Sequence, residues 1–129
     1  MTDYSHYPLR LADDIARLTA ELNEHLYRAA PDQSAEILGR ALDAEDGILG
    51  KVTQLMITGS HFAKRQAEAG ALPPEVCLAL GRAANELHDI SLDLDEHAGD
   101  LERLARPPDA TSAPAVKPAA CDMVARRRR

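Results

Sequence analysis

The chain has 129 residues, of which 45% are apolar and 28% charged, and its formal net charge is −6. One domain is expected at this length. No apolar stretch approaches the roughly 20 residues that a membrane span requires, and the N-terminus lacks the basic start and apolar run of a secretory signal. We therefore expect a cytoplasmic protein.

The composition favours helices. Only one Phe and three Tyr are present and Trp is absent, so the chain is poor in the aromatic residues that sheets prefer. Arg outnumbers Lys twelve to three, a bias typical of GC-rich bacterial genes. The two cysteines, Cys77 and Cys121, make neither a disulfide framework nor a CxxC metal pair. We predict an all-α protein of bacterial origin with reduced thiols and no cofactor.

The first predicted helix runs from Pro8 to Ala29, since Pro31 disfavours helical geometry at the residue before it. Its apolar positions follow one another at intervals of four and three residues, which is typical of one buried face. This stripe consists of Leu11, Ile15, Leu18, Leu22, His25 and Ala29.

The second predicted helix begins at an N-cap, Asp32 or Ser34, and continues to Ala69. Interior glycines cost about 1 kcal/mol each relative to alanine. Gly47, Gly50 and Gly59 are such residues. One long helix and a helix that is kinked or broken near these glycines both remain open.

The third predicted helix begins at Pro73-Pro74 and ends before Pro107-Pro108. It carries a coiled-coil-like apolar seam over four heptads. The seam comprises Val76, Leu80, Ala83, Leu87, Ile90, Leu94, His97, Leu101 and Leu104. A second line, at strict seven-residue spacing, contains only small residues: Cys77, Ala84, Ser91, Ala98 and Ala105. Small residues allow close helix approach, so this helix is expected to pack on more than one neighbour.

The short turn from Gly70 to Pro73 predicts an antiparallel hairpin of the second and third helices, each roughly 50 Å long at 1.5 Å per residue. With the shorter first helix this gives an antiparallel three-helix bundle in which half of the hairpin stays uncovered. That uncovered half contains Met56, Phe62, Val76 and Leu80. Either the segment that contains Tyr4 and Tyr7 lies over this half, or a second copy of the chain does, since exposed patches of this kind usually mark interfaces. We therefore expect a homodimer, and a four-helix bundle formed by dimerisation or by a break in the second helix is the alternative architecture.

Two histidines stand at apolar positions of the helical seams, and each follows an acid four residues earlier. The pairs are Glu21 with His25, and Asp93 with His97. This spacing lets one helix present two ligands to an ion. A polar layer that sets helix register explains the same residues, and the ExxH pattern of di-iron bundles is absent. These four residues are therefore weak metal candidates only.

An acidic face on the third helix and a basic tail make the charge distribution uneven. The acidic face comprises Glu86, Asp89, Asp93, Glu96 and Asp100. The tail, residues 107–129, is Pro/Ala-rich, is expected to be disordered and ends in Arg126, Arg127, Arg128 and Arg129. It holds five basic and two acidic residues, which leaves a charge of −9 on residues 1–106. A body this acidic repels phosphate backbones, so nucleic acid is expected to be contacted only through the tail.

No phosphate-binding glycine loop or nucleophile elbow is found in the sequence. We therefore predict that the protein is not an enzyme. The favoured interpretation is an intracellular protein–protein interaction module, a homodimeric helical bundle that binds an unidentified protein through the uncovered patch or the acidic face. The alternatives are a nucleic-acid-associated accessory protein acting through its Arg tail and a metal-binding bundle.

Overall fold

A computed structural model describes residues 5–106. Within this range the chain forms five helices and no strand, which confirms the all-α prediction. The helices are α1 (Tyr7–Arg28), α2 (Pro31–Ala41), α3 (Ile48–Glu68), α4 (Pro74–Asp95) and α5 (Ala98–Ala105). The predictions made for Cys121 and for the Arg tail lie outside the described residues. No helix in the described range is both long and apolar enough to cross a membrane.

The first helix forms where it was predicted. α1 has Pro8 in its first turn, where proline is favoured, and it ends because Ala29 and Ala30 are extended ahead of Pro31. The N-cap predicted at Asp32 or Ser34 is wrong, since Ala30 occupies that position. The Ser34 hydroxyl instead lies 3.4 Å from the carbonyl oxygens of Leu26 and Ala29, at the end of α1.

The second predicted helix is broken between Leu42 and Gly47, so of the two alternatives the helix that breaks near its glycines is the correct one. Two glycines make the break possible because the backbone of the connecting segment lies too close to them for a side chain. A Cβ on Gly47 would lie 2.8 Å from the Asp43 nitrogen, and one on Gly50 would lie 2.7 Å from the Ala44 carbonyl carbon. The helix is continuous through Gly59, where no break is found.

Asp43 organises the connection between α2 and α3. Its Oδ1 accepts hydrogen bonds from the backbone N–H groups of Asp46 at 2.7 Å and Glu45 at 2.9 Å. These donors stabilise the carboxylate, so the pKa of Asp43 lies below its ordinary value of 3.8. The Asp43 side chain thus accepts hydrogen bonds from N–H groups that would donate to backbone carbonyl groups in a continuous helix.

The turn between α3 and α4 is formed as predicted, and it closes with a glycine in the left-handed region. Gly70 has φ +80°. Its N–H donates to the Ala67 oxygen, while the Ala71 N–H donates to the Gln66 oxygen. This is a Schellman motif, which satisfies carbonyl groups that the helix end leaves free.

The third predicted helix is not continuous, which corrects the four unbroken heptads. α4 ends at Asp95, and α5 begins after His97, whose φ of −103° and ψ of 6° are not helical. His97 therefore stands at the N-cap of α5 rather than in a seam. Its side chain is exposed, with Nδ1 3.6 Å from the Asp100 carboxylate.

The two breaks lie at the same level of the hairpin. Gly59 faces Leu80 across the α3–α4 contact, and the same antiparallel register places residue 43 opposite residue 96. Beyond this level α2 packs on α5, as α3 packs on α4. The hairpin thus consists of two helix pairs, one above the breaks and one below.

The three-helix bundle is not found. The main contacts of α1 are with α2, and no extended packing of α1 against α3, α4 or α5 is present within residues 5–106. The expectation that the first helix covers half of the hairpin is therefore wrong. The cause is local, because only Ala29 and Ala30 separate α1 from α2, and the contacts of α1 are made near this turn.

Candidate protein interaction surface

The contact between α3 and α4 is made by small side chains. Ala63, Ala84 and Ser91 are buried there, and Ala63 has no exposed surface. A Cβ on Gly81 would lie only 3.6 Å from the Ser60 hydroxyl. The predicted line of small residues is therefore the buried seam, whereas the larger apolar residues border it on the outside.

Hydroxyl groups in this region are satisfied within their own helices. Ser91 donates to the Leu87 oxygen at 2.7 Å, and Thr53 donates to the Leu49 oxygen at 2.8 Å. Cys77 is half-buried, with its sulfur 4.0 Å from the Ser60 hydroxyl oxygen. The seam thus contains small polar side chains without leaving a buried side-chain donor or acceptor unpaired in the described residues.

One side of the hairpin presents an apolar surface, which we call the hairpin flank. It consists of Ile48, Leu55 and Phe62 on α3 and of Val76, Ala83 and Ile90 on α4. On each helix these residues are seven positions apart, so they lie on one side of it. They lie next to the contact between Gly59 and Leu80, because Leu55 and Phe62 are four and three positions from Gly59, as Val76 and Ala83 are from Leu80. In the antiparallel register they form three levels: Phe62 with Val76, Leu55 with Ala83, and Ile48 with Ile90. The four large side chains that are most exposed here, Ile48, Leu55, Phe62 and Ile90, keep 40% to 61% of their surface.

A second apolar surface lies on α1, and we call it the arm stripe. It comprises Tyr7, Leu11, Ile15 and Leu18. These residues recur every three or four positions, so they lie on one side of the helix. Each keeps between 41% and 57% of its surface exposed. The stripe predicted for the first helix is thus real, but most of it is not buried by this chain.

The C-terminal part of α1 is the only part that approaches other helices. Leu22 and Leu26 are half-buried and border an apolar cavity of about 270 Å³ together with residues of α2 and the start of α3. The cavity is open to solvent, and the α1 residues that precede Leu22 are all exposed. His25, on the same part of α1, is exposed.

The predicted uncovered patch is divided by the structure. Val76 and Leu80 are half-buried where α4 meets α3, and Met56 is half-buried as well. Phe62 is about half exposed and belongs to the hairpin flank. Leu55 and Ile48 are not part of the predicted patch but are exposed beside Phe62, and their seven-residue spacing with Phe62 is visible in the sequence.

The five residues of the predicted acidic face are all exposed on α4, α5 and the connection between them. Asp100 forms an ion pair with Arg103 on its own helix. Charged residues also line a cavity of about 290 Å³ between α2 and α5, where Arg40 pairs with Glu36 at 3.1 Å. These surfaces carry charge but hold no buried polar group that points to a bound ligand in the described range.

The weak metal candidates are not assembled into a site. Within residues 5–106, no three His, Cys, Asp or Glu side chains are close enough to hold a metal ion together. Glu21, His25, Asp93 and His97 are all exposed. The interruption before α5 also removes His97 from the apolar seam in which the sequence pattern places it.

The arm stripe and the hairpin flank are thus apolar surfaces that residues 5–106 leave largely exposed. Comparison with protein-family models, with curated proteins and with solved structures finds no match to this chain.

Proposed function

We propose that this protein is a non-enzymatic protein–protein interaction module that works as a homodimer. The observation that carries the proposal is the arm stripe, four large apolar side chains that the described part of the chain leaves exposed. Patches of this kind on a folded protein usually mark an interaction surface.

The stability of α1 supports the same proposal. Most of the helical stability in proteins comes from packing of an amphipathic face, and isolated helices are marginal in water. Residues 7–18 of α1 have no such packing against the rest of the described range, 5–106. A partner that covers the arm stripe supplies the missing stabilisation.

A second surface remains for another protein in this proposal. The acidic face of α4 and α5 is exposed, and its residues are not part of the hairpin flank or the arm stripe. Its charge suits a basic partner, since complementary charge accelerates and orients association.

The proposal is tested by light scattering on size-separated protein at tens of micromolar. The wild-type chain is expected to be dimeric, and Leu11→Asp is expected to shift it to the monomer because a charge is placed in the arm stripe. Leu9→Asp is the matched control, since Leu9 is 63% exposed but lies on the opposite side of the same helix. A wild-type monomer, or equal effects of both substitutions, would contradict the proposal.

A further inference from the structure

Residues 5–106 leave two apolar surfaces largely exposed, the arm stripe on α1 and the hairpin flank on α3 and α4, although Ile48 of the flank also borders the cavity beside Leu22. We propose that two copies of the chain exchange arms, so that the arm stripe of each copy lies on the hairpin flank of the other. This inference rests on the proposed homodimer and states which surfaces form it.

The two surfaces match in length. The hairpin flank extends from Ile48 to Phe62, which is about 21 Å between the first and last Cα atoms along α3 at 1.5 Å per residue. The arm stripe extends from Tyr7 to Leu18, about 17 Å between the first and last Cα atoms. With its side chains, the stripe therefore reaches all three levels of the flank.

The two surfaces also match in apolar area. At about 200 Å² for a fully exposed large apolar residue, the four arm-stripe residues present roughly 400 Å² of accessible surface. Ile48, Leu55, Phe62 and Ile90 present roughly the same area on the hairpin flank. Each surface can therefore be covered by the other with little excess.

Area distinguishes arm exchange from the simpler symmetric dimers. Pairing of the two arm stripes, or of the two hairpin flanks, would bury about 800 Å² of these side chains in total and would leave the other surface exposed on both chains. Arm exchange buries both surfaces on both chains, about 1,600 Å², which is the standard size of a specific interface. It is also the only one of the three arrangements that covers both surfaces.

The test uses a pair of variants whose defects are complementary. Leu11→Asp damages the arm stripe, and Leu55→Asp damages the hairpin flank. In an exchanged dimer each variant alone has two damaged contacts. An equal mixture forms a heterodimer with one intact contact, between the sound arm of the Leu55→Asp chain and the sound flank of the Leu11→Asp chain. With one chain labelled with ¹⁵N, native mass spectrometry separates this heterodimer from either homodimer.

Leu78→Asp is the matched control for the hairpin variant. Leu78 is 64% exposed, close to the 61% of Leu55, but it lies on the opposite side of the hairpin. It is expected to leave the dimer intact. Circular dichroism of each variant shows whether its helices are retained.

A second measurement needs no damaging charge. Two chains lacking Cys77 and Cys121, one carrying Ile15→Cys and the other Leu55→Cys, are mixed and treated with a short bis-maleimide. Arm exchange predicts a cross-linked product that contains one chain of each kind, at a yield well above that of Ile15→Cys with Leu78→Cys.

The outcomes separate this inference from the proposed function. A wild-type monomer overturns both. A wild-type dimer that is lost only in Leu11→Asp indicates pairing of the arms, and one that is lost only in Leu55→Asp indicates pairing of the flanks. Either result overturns arm exchange and leaves the homodimer in place. Loss in both variants without a heterodimer and without the mixed cross-link also overturns arm exchange.

Discussion

The break between α2 and α3 predicts opposite effects for two Gly→Ala substitutions. Gly39, on α2, has no atom within 4 Å of the position where a Cβ would be added. Gly50, in the first turn of α3, would place its Cβ 2.7 Å from the Ala44 carbonyl carbon and 2.9 Å from the Glu45 oxygen. The first substitution is expected to stabilise the protein, and the second to destabilise it.

The magnitudes follow from these contacts. Ala in place of Gly in a helix gains roughly 0.5 to 1 kcal/mol where nothing is touched, which applies to Gly39. At Gly50 the backbone must move about 0.7 Å before the Ala44 carbon reaches the 3.4 Å of ordinary van der Waals contact. Overpacking of this kind costs typically 1 to 3 kcal/mol, which exceeds the gain in helix propensity.

Thermal unfolding at one fixed protein concentration measures both effects. For a domain of this size a change of 1 kcal/mol shifts Tm by about 4 to 8 °C. We expect Gly39→Ala to raise Tm by a few degrees and Gly50→Ala to lower it by roughly 5 to 15 °C. Equal Tm values for the two variants would refute the conclusion that close backbone approach at Gly50 maintains the break.

Three further predictions concern the connections and the seam. Hydrogen bonds lower the pKa of Asp43 below 3.8, so the stability that its carboxylate contributes is complete above that pH and is lost as the pH falls towards the lowered pKa. The free energy of unfolding of Asp43→Asn should therefore depend less on pH in this acid range than that of the wild type, and identical pH profiles would contradict this. Ala63→Leu should destabilise the protein by about 1 to 3 kcal/mol because Ala63 has no exposed surface, whereas Ala79→Leu, on the exposed side of α4, should change urea unfolding little; similar midpoints would argue against the seam. Gly70→Ala should cost about 1 kcal/mol because Gly70 has φ +80°, and an unchanged Tm would show that the turn adopts another conformation.

Helix ends were predictable from the sequence where proline or glycine acts locally, whereas the break between α4 and α5 was not. Pro8, Pro31 and Pro74 stand in the first turns of their helices, and Gly70 closes α3 in the conformation that only glycine adopts readily. The break near Gly47 could be anticipated as one of two alternatives. Its exact extent depends on contacts with Asp43 and Arg40, which no local pattern contains.

Burial was much harder to predict than helix formation. A periodic apolar stripe indicates that a helix face needs covering, but it does not indicate which molecule covers it. Leu11 and Ile15 followed the expected pattern and are nevertheless exposed. The line of small residues through Ala84 and Ser91 is visible in the sequence, but that it forms the buried α3–α4 seam does not follow from apolar area. Small residues add little apolar area, although they permit close approach of two helices.

The coincidence of the two helix breaks has a consequence for folding cooperativity. The α2–α5 pair is joined to the α3–α4 pair through the non-helical residues at Leu42–Gly47 and Glu96–His97, and α2 makes little direct contact with α3. Local unfolding follows such boundaries, since contiguous elements exchange their amide hydrogens as cooperative units. The amides of α2 and α5 should therefore exchange together and earlier than those of α3 and α4, so that one short chain contains two foldons.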